Sequence, residues 1–403
     1  MEDLQTDPRP STDGNGDVFE DDYDSQVVQH AFFVNSNIIA VCNSRTRLLF
    51  CSKSFRNVGS CTPCCDEAEF RIELISGSSL GLVVRDTRKF ELWNFKENRR
   101  ISPSVNLDDR ILGIRGNDRR VMVLTSRKLY IFVLNSLELI FTFDRGDAVA
   151  EPSVGVLAAN DDGLVAFVLA DGSVQVIDSI TLYPSSPLHA HSSPISALEL
   201  SSEYLVTGSS RGTIIRVFSL PSLCLLYEFR RGRTENVTRS IKVSGNFITV
   251  AGDSDTVHIF RIASTDDRPR IMGLIPTVET ATRDFSYIRL RRDEGMRSFS
   301  AAVVDAGRAV VVSRETGYAF VYDSSIVGEC RLISEHALSA DHIPSERNGS
   351  CSDDFSSLPS STTPPTTEHD TDPVTVVKKP KKKKKHSPKL STDTDKPSEE
   401  VYE

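Results

Sequence analysis

A short apolar run recurs along this chain at nearly constant intervals, and this repeat limits the available folds more than any other feature. Each run follows a turn residue and has the composition of a β-strand, as in TRLLFCS, RKFELWN and GTIIRVF. The seven runs begin at residues 46, 88, 127, 172, 212, 255 and 317, so five intervals are 39 to 45 residues long and the last is 62. Helical periodicity is nearly absent. A repeat of about 40 to 45 residues with short strands is typical of a β-propeller, so we expect an all-β, seven-bladed, WD-repeat-like propeller, although the chain has no Trp-Asp dipeptide.

Charge and composition separate the two ends of the chain from its middle. The formal net charge of the 403 residues is −9, and residues 1–24 alone contribute −8, with nine acids and one arginine. After residue 338 the chain is rich in Ser, Thr and Pro, and eight lysines lie between Lys378 and Lys389. We therefore expect a disordered acidic tail over 1–25, the propeller over 26–338, and a disordered Ser/Thr/Pro/Lys-rich tail with a polybasic run over 339–403.

Several function classes find no support in the residues. The sequence contains no run of about 18 apolar residues and no signal peptide, which favours a cytoplasmic protein. Cys61, Cys64 and Cys65 form a Cys-x-x-Cys-Cys cluster, but a zinc site needs about four ligands and no second pair follows, so we expect free thiols and no metal. No nucleophile with a base and an orienting acid, and no phosphate-binding glycine loop, can be recognised. We expect no enzymatic activity, no cofactor and no nucleic-acid partner.

Two adjacent arginines, Arg230 and Arg231, stand at the end of an apolar run between the fifth and sixth repeats. Consecutive residues of an extended chain point to opposite sides, so the pair can serve two pockets, and Gly232 permits the turn that follows. A guanidinium matches phosphate oxygens in a bidentate manner. Polar and cationic side chains lie in the neighbouring runs: His191, Ser209, Arg211, Thr213, Arg216, Ser254, Thr256 and His258. The composition indicates an anion site; the alternative is a solvated strand end, or ion pairs with Glu228 or Glu235.

The stretch GTIIRVFSLPSLCLLYEFRRG, followed by DTVHIFRI, resembles the PROPPINs, which are called WIPI proteins in animals. The Phe-Arg-Arg-Gly motif at 229–232 is the hallmark of that family, and the resemblance covers roughly residues 30–338. It extends through AHSSPISAL, VQVIDSITL and GYAFVYD. The resemblance implies a seven-bladed propeller that binds phosphatidylinositol 3-phosphate and the 3,5-bisphosphate.

The family's two pockets carry over onto residues of this chain. The resemblance implies a blade-five site of Arg230 with His191, Ser209, Thr213 and Arg216, and a blade-six site of Arg231 with Ser254, Thr256 and His258. It leaves open which arginine serves which pocket. The family often has a Ser-Ser pair near the second site, where this chain has Ala251, Gly252 and Asp253. An acid at that position would weaken phosphate binding.

The excess length of the last interval falls between the third and fourth strands expected for blade six. This insertion, residues 263–284, matches the position of the family's membrane-inserting loop and contains RIMGLIP, with Arg268, Arg270 and Arg283 beside it. Apolar side chains framed by cations suit shallow insertion beneath anionic headgroups. We expect Ile271, Met272, Leu274 and Ile275 to insert; the alternative is that the loop folds back on the propeller.

The C-terminal tail carries two weaker motifs. Asp353, Asp354, Phe355 and Leu358 are similar to the short motif that binds ubiquitin-like autophagy modifiers by strand addition. The lysine run suits either nuclear import or contact with an anionic leaflet, or it is a solvated tail.

The favoured interpretation combines the residues with the family resemblance. It is an adaptor on preautophagosomal or endosomal membranes that reads 3-phosphoinositides and recruits autophagy proteins, such as a lipid-transfer protein or the conjugation complex. The alternative is a propeller that serves only as a scaffold for other proteins, in the nucleus if the lysine run directs import.

Overall fold

The structure is a computed structural model that describes residues 28–35, 37–43, 47–61, 71–75, 78–85, 87–147, 149–262, 279–290, 299–305, 307–313 and 315–338. The chain divides into two units, 1–360 and 361–403, and every described residue belongs to the first. The described residues form strands and turns, and they include no helix of sufficient length and hydropathy to span a bilayer.

The first four blades are antiparallel sheets that follow one another along the chain. Blade one comprises β1 (Val28–Asn35), β2 (Ile38–Asn43), β3 (Arg47–Cys51) and β4 (Asn57–Cys61). Blade two comprises β5 (Arg71–Leu74), β6 (Leu80–Arg85), β7 (Lys89–Asn94) and the short strands β8 (Arg99–Arg100) and β9 (Val105–Asn106), which both pair with β7. Blade three comprises β10 (Gly113–Gly116), β11 (Arg120–Leu124), β12 (Lys128–Val133) and β13 (Leu139–Asp144), and blade four comprises β14 (Leu157–Ala159), β15 (Leu164–Val168) and β16 (Val174–Asp178). In blade four, isolated bridges from Leu188 and Pro184 to β16 stand where a fourth strand is expected.

Blades five to seven have the same order, with two additions from later in the chain. Blade five comprises β17 (Ile195–Leu200), β18 (Tyr204–Ser209), β19 (Ile214–Ser219) and β20 (Leu225–Arg230). Blade six comprises β21 (Thr238–Ser244), β22 (Phe247–Gly252), β23 (Thr256–Arg261) and β25 (Ser286–Arg289). Blade seven comprises β26 (Phe299–Asp305), β27 (Arg308–Ser313), β28 (Tyr318–Asp323) and β30 (Arg331–Ala337). β24 (Glu279–Thr282) adds in parallel to β20, and β29 (Gly328–Glu329) adds in parallel to β25.

The ring of seven blades confirms the fold expected from the repeat. Each of the seven periodic runs is the third strand of its blade, from β3 in blade one to β28 in blade seven. The long last interval contains the connection from β23 to β25, and β25 pairs with β23 as the fourth strand of blade six. The repeat predicts the propeller because each run supplies one equivalent strand.

Apolar packing between neighbouring blades holds the ring together. The described residues form seven buried apolar clusters, one at each interface between adjacent blades. A central strand such as β18 is buried along its whole length because both of its faces pack against neighbours. Ala31 and Phe50 of blade one pack with Val310 and Val321 of blade seven, so the ring closes by side-chain packing.

Charged side chains on the first strands of four blades lie along the centre of the ring. The Arg115 guanidinium is 3.3 Å from the Glu73 carboxylate, and the Lys242 ammonium is 3.4 Å from the Glu199 carboxylate. Burial raises the pKa of Glu73 to about 7, although Arg115 and Lys242 oppose that shift. The charges of this central group nearly balance, which makes it a poor site for the anionic ligand expected from the sequence.

Candidate functional site

Arg230 and Arg231 leave β20 on opposite sides of blade five. Tyr227 and Phe229 of β20 pack into the apolar cluster shared with blade six, where the Phe229 ring stacks on Phe260 at 4.9 Å between centroids. Alternation along the strand places Arg231 on that same side, and Glu228 and Arg230 on the side of blade four. The pair therefore faces two clefts, which we call the four-five cleft and the five-six cleft after the blades that border them.

Arg231 lies in the five-six cleft, where its hydrogen bonds connect the segments that border the cleft opening. Its Nη1 lies 3.4 Å from Ser254 Oγ of blade six, its Nη2 donates to the Thr234 carbonyl at 3.0 Å, and its Nε donates to the Gly212 carbonyl. Its backbone N–H donates to the Thr213 carbonyl at 2.9 Å. Burial lowers the pKa of Arg231 from its ordinary value, but the group stays cationic at neutral pH. The contact with Ser254 places Arg231 on the blade-six side.

The other residues expected in the five-six cleft come from the loop before β23 and from β23 itself. Ser254 Oγ donates to the Thr256 carbonyl at 3.1 Å, and the His258 ring stacks beside Phe260 on the face toward blade five. His258 Nδ1 is 2.9 Å from the carboxylate of Asp284, the last residue of the insertion. A phosphate in this cleft would meet one guanidinium, one hydroxyl and an imidazole already paired with an acid.

Asp253, which the sequence suggested would oppose phosphate binding, is held by a neighbouring cation. Arg239 Nε and Nη2 donate to the two carboxylate oxygens of Asp253 at 2.8 and 2.9 Å. This bidentate pair raises the pKa of Arg239 above its ordinary value. The Asp253 charge is therefore largely balanced by Arg239, which reduces its repulsion of an anion near Ser254.

The four-five cleft is built around Arg216, whose donors are already engaged. Its Nε and Nη2 each lie 2.7 Å from Glu228 Oε1, and its Nη1 donates to the Ala190 carbonyl. His191 Nε2 lies 2.9 Å from Thr207 Oγ1, and Ser209 is buried on the same strand as Thr207. Burial, assisted by the charge of Arg216, lowers the pKa of His191 to about 4, so this imidazole is neutral at pH 7.

Arg230 is the exposed cation of the four-five cleft. It ends β20, where it pairs with Ile214 of β19, and its side chain is exposed. Within the part of the chain that the structure describes, no carboxylate lies within ion-pair distance of Arg230, whereas Arg216 on the same side is paired. An incoming anion in this cleft would therefore meet the Arg230 guanidinium first.

The structure brings most of the sequence-predicted residues to the two clefts and leaves others aside. His191, Ser209, Arg216 and Arg230 lie on the blade-four side of blade five, whereas Arg231, Ser254, Thr256 and His258 lie between blades five and six; Thr213 stands near the start of β19 and accepts from Arg231 through its carbonyl. Arg211 pairs with Glu235 at 2.8 Å on the exposed surface. The loop residues Ile271, Met272, Leu274 and Ile275 lie outside the described residues, as do Cys64, Cys65, Phe355 and Leu358.

Sequence reasoning missed three residues of the clefts: Thr207, Asp284 and the role of Glu228 as the partner of Arg216. Glu228 could have been assigned from strand alternation, because it lies two residues before Arg230 and shares its face. No signal in the sequence points to Asp284, since its contact with His258 crosses 26 residues that include the loop.

We expect His191 to make the stability of the protein fall in mild acid. Its pKa is lowered from 6.5 to about 4, so the unfolded chain takes up a proton below pH 6.5 and the folded chain does not until about pH 4. The stabilisation is complete above pH 6.5 and is lost as the pH falls toward 4. Between about pH 7.5 and 5, the unaltered protein should lose about 2 kcal/mol more free energy of unfolding than a His191→Gln variant in urea titrations.

The comparison of the two proteins at each pH also removes the contribution of Glu73. That acid has a raised pKa, so its effect has the opposite sign and its stabilisation is lost as pH rises from 4.5 to about 7 in both proteins. Parallel pH profiles for the unaltered protein and His191→Gln would contradict the assignment of a neutral, half-buried imidazole.

Comparisons with known proteins agree with this propeller architecture. The sequence model of the PROPPIN family matches residues 63–273, which is more than half of the chain. The chain belongs to the PROPPIN family. The matched range contains both arginines, the strands of blades two to five and the first three strands of blade six, and the family resemblance drawn from the Phe-Arg-Arg-Gly motif is thereby confirmed.

Individual relatives and solved structures agree with this family. The chain is 26% identical over 351 residues to the chicken WD repeat domain phosphoinositide-interacting protein 2, covering 78% of this chain and 80% of that one. It is 28% identical over 310 residues to autophagy-related protein 18 of Dictyostelium discoideum, covering 66% and 82%. The structure of Kluyveromyces lactis Hsv2 with its complete loop 6CD superimposes with a TM-score of 0.66 at 17% identity, over 78% of this chain and all of that one, which supports the fold.

Proposed function

We propose that this PROPPIN is a peripheral membrane protein of autophagy that binds phosphatidylinositol 3-phosphate and the 3,5-bisphosphate through its two clefts. The observation that carries the proposal is the divergence of Arg230 and Arg231, which face different clefts and are paired with no carboxylate among the described residues. Relatives named for phosphoinositide interaction and for autophagy support the same function. The protein acts as an adaptor on preautophagosomal or endosomal membranes and recruits autophagy proteins, without catalysing a reaction.

The two clefts recognise phosphate in different ways. In the five-six cleft, Arg231 offers guanidinium donors to a phosphate, and the Ser254 hydroxyl becomes a second donor when its proton turns away from the Thr256 carbonyl. In the four-five cleft, Arg230 supplies the unpaired charge, while Arg216 stays tied to Glu228 and His191 stays neutral. Each cleft alone binds weakly because it holds only one unpaired guanidinium. Two clefts on neighbouring blades gain avidity because a membrane presents many headgroups at high effective concentration.

The loop between β23 and β25 is anchored beside both clefts. β24, at the end of this loop, pairs with β20 through Tyr227 and Glu279, directly before the two arginines. Arg283, just beyond β24, is exposed. The anchoring brings the end of the loop to the edge of the propeller that would face the headgroups. An apolar loop inserted there would add to the avidity of the two clefts.

We expect the apolar residues of the loop to contribute to membrane binding and not to binding of the soluble headgroup. A variant with Ile271→Asp and Leu274→Asp should bind vesicles containing phosphatidylinositol 3-phosphate about tenfold more weakly, because carboxylates oppose insertion among anionic lipids. Its affinity for the soluble headgroup inositol 1,3-bisphosphate should not change, as measured by calorimetry. Equal loss of both activities would place the loop in the pocket instead.

The function is tested by sedimentation of the full chain with vesicles. Phosphatidylcholine vesicles that contain phosphatidylinositol 3-phosphate or the 3,5-bisphosphate should bring the protein into the pellet, and vesicles with phosphatidylserine at equal surface charge should not. Binding that depends only on the charge of the vesicle would indicate non-specific attraction. No binding to any of these vesicles would favour a propeller that serves only as a protein scaffold.

A further inference from the structure

A cavity of about 470 Å³ lies between blades six and seven, one interface beyond the clefts described above. Its wall on the blade-seven side consists of Tyr318, Phe320 and Tyr322 of β28, with Glu335 of β30 above them. Phe299, the first residue of β26, also lines the cavity. Tyr318 is 45% exposed, so the aromatic wall is open to solvent at its outer end. The cavity is bordered by described residues of both blades.

The same strand position carries opposite chemistry in this cavity and in the four-five cleft. Arg216, His258 and Phe320 are each the third residue of the third strand of their blade, and each faces the preceding blade. In blade five, Arg216 pairs across the strands with Glu228. In blade seven, Phe320 pairs across the strands with Glu335. The carboxylate of blade five is thus neutralised by its neighbour, whereas the carboxylate of blade seven faces an aromatic ring.

An aromatic wall beside a carboxylate favours a cation. The faces of Tyr and Phe rings attract ammonium and guanidinium groups, and the carboxylate adds a charge-assisted hydrogen bond. Within the described residues no cation pairs with Glu335. Glu329 and Arg289 also line the cavity, and the largely exposed Arg289 guanidinium is 3.8 Å from the Glu329 carboxylate. The net charge of these three groups is negative, so the cavity complements a basic side chain.

The outer strand beside the cavity has a free edge in the described part of the chain. β30 is the last strand of its sheet, whereas the outer strands of blades five and six are covered by β24 and β29. β30 is seven residues long and exposes Leu332 and Ile333. An exposed, partly apolar edge strand offers unpaired backbone groups to an extended segment of another chain.

We propose that blade seven binds a basic, extended segment of a partner protein at this site. The segment adds to β30 as a further strand and places a lysine or arginine side chain among Tyr318, Phe320 and Glu335. The site accounts for the free edge, the aromatic wall and the unpaired carboxylate together. It goes beyond the lipid function, because it leaves the four-five and five-six clefts free to face a membrane while the partner is held beside them.

A pair of short synthetic peptides tests this proposal on the full chain. Fluorescein-labelled peptides of alternating valine and lysine, or of alternating valine and glutamate, are titrated with the protein and followed by fluorescence anisotropy. We expect the lysine peptide to bind and the glutamate peptide not to bind. Glu335→Lys should weaken the lysine peptide by about tenfold or more and create binding of the glutamate peptide. Phe320→Leu should weaken the lysine peptide without rescuing the glutamate peptide.

Controls make each outcome decisive. Glu138→Lys makes the same charge change at an exposed position of blade three and should leave peptide binding unaltered. Binding to vesicles with phosphatidylinositol 3-phosphate should persist in Glu335→Lys. If that variant does not fold, Tyr318→Ala at the exposed end of the wall should give the loss instead. The proposal would be overturned if the lysine peptide bound the unaltered protein and these variants with equal affinity. It would also be overturned if the protein bound phosphatidylcholine vesicles in a Glu335-dependent manner and did not bind the peptide.

Discussion

Replacement of both Arg230 and Arg231 by threonine is expected to abolish sedimentation with vesicles that contain phosphatidylinositol 3-phosphate. Each guanidinium is the main unpaired cation of its cleft, and a charge-assisted hydrogen bond contributes about 1.5 to 3 kcal/mol. Loss of both clefts removes the avidity as well, so the combined affinity should fall by about three orders of magnitude or more. Vesicle sedimentation at fixed ionic strength measures the effect.

The single variants separate the two clefts. Arg230→Thr should weaken binding with little change in stability, because Arg230 is exposed and makes no hydrogen bond to another described side chain. Arg231→Thr should weaken binding and also lower the free energy of unfolding by about 1 kcal/mol, since its bonds to the Gly212 and Thr234 carbonyls are lost. Arg211→Thr removes one positive charge near the clefts and is the matched control, because Arg211 is held by Glu235.

The outcome can contradict the proposed function in two ways. Retained binding in the double variant would show that the clefts do not carry recognition. Loss of binding in Arg211→Thr equal to that in Arg230→Thr would indicate a general electrostatic attraction, which added salt would also abolish. Circular dichroism and thermal unfolding of the double variant establish that its propeller is intact.

Replacement of Arg145 by methionine is expected to destabilise the propeller by about 3 to 5 kcal/mol. The Arg145 side chain is 2% exposed and donates to the carbonyls of Thr125, Val154 and Val168 at 2.6 to 2.9 Å. The Thr125 carbonyl belongs to blade three, the Val154 carbonyl to the connection between blades three and four, and the Val168 carbonyl to blade four. Burial lowers the pKa of Arg145 to about 10, which leaves it charged at pH 7. Methionine fills the space but leaves the carbonyls without their donors.

Urea unfolding measures this loss, and a nearby arginine provides the control. Arg127 lies on the surface and is 3.5 Å from the exposed Asp147 carboxylate, so Arg127→Met should change the free energy of unfolding by less than about 0.5 kcal/mol. A loss below about 1 kcal/mol in Arg145→Met would mean that water or backbone movement satisfies the three carbonyls. Lipid binding should persist in Arg145→Met below its unfolding temperature because Arg145 donates to Thr125, Val154 and Val168, which are not among the residues of the two clefts.

The fold was predictable because its signal is periodic. Strands such as β19 and β23 carry the same alternation of buried and half-buried residues, and the spacing of about one blade recurs through the ring. The short blade four was not predictable, because the isolated bridges of Leu188 and Pro184 leave no apolar run to mark a fourth strand. The return of β24 to blade five was also missed, since parallel pairing after a loop has no local pattern.

The candidate site was predictable only in part. The adjacent arginines and their opposite directions follow from the alternation of an extended chain, and the hydroxyl and histidine positions follow from the equivalence of the repeats. The pairing of Arg216 with Glu228 depends on the register of β19 against β20, which shifts between Val217 and Phe218. That register leaves Arg230, and not Arg216, as the unpaired cation of its cleft.

The amino-acid sequence by itself determined that seven similar strand groups form, and that two cations leave one strand end in opposite directions, because both are properties of local backbone geometry and hydrophobic spacing. Only the tertiary structure decided which neighbouring blade each of these two cations faces and which acids neutralise the other cations of the clefts. His258 meets Asp284 because β25, which follows Asp284, pairs with β23, and Phe320 meets Glu335 because β28 pairs with β30. Charge balance within the two clefts depends on how the strands pair, and the contact of His258 with Asp284 has no local pattern in the sequence.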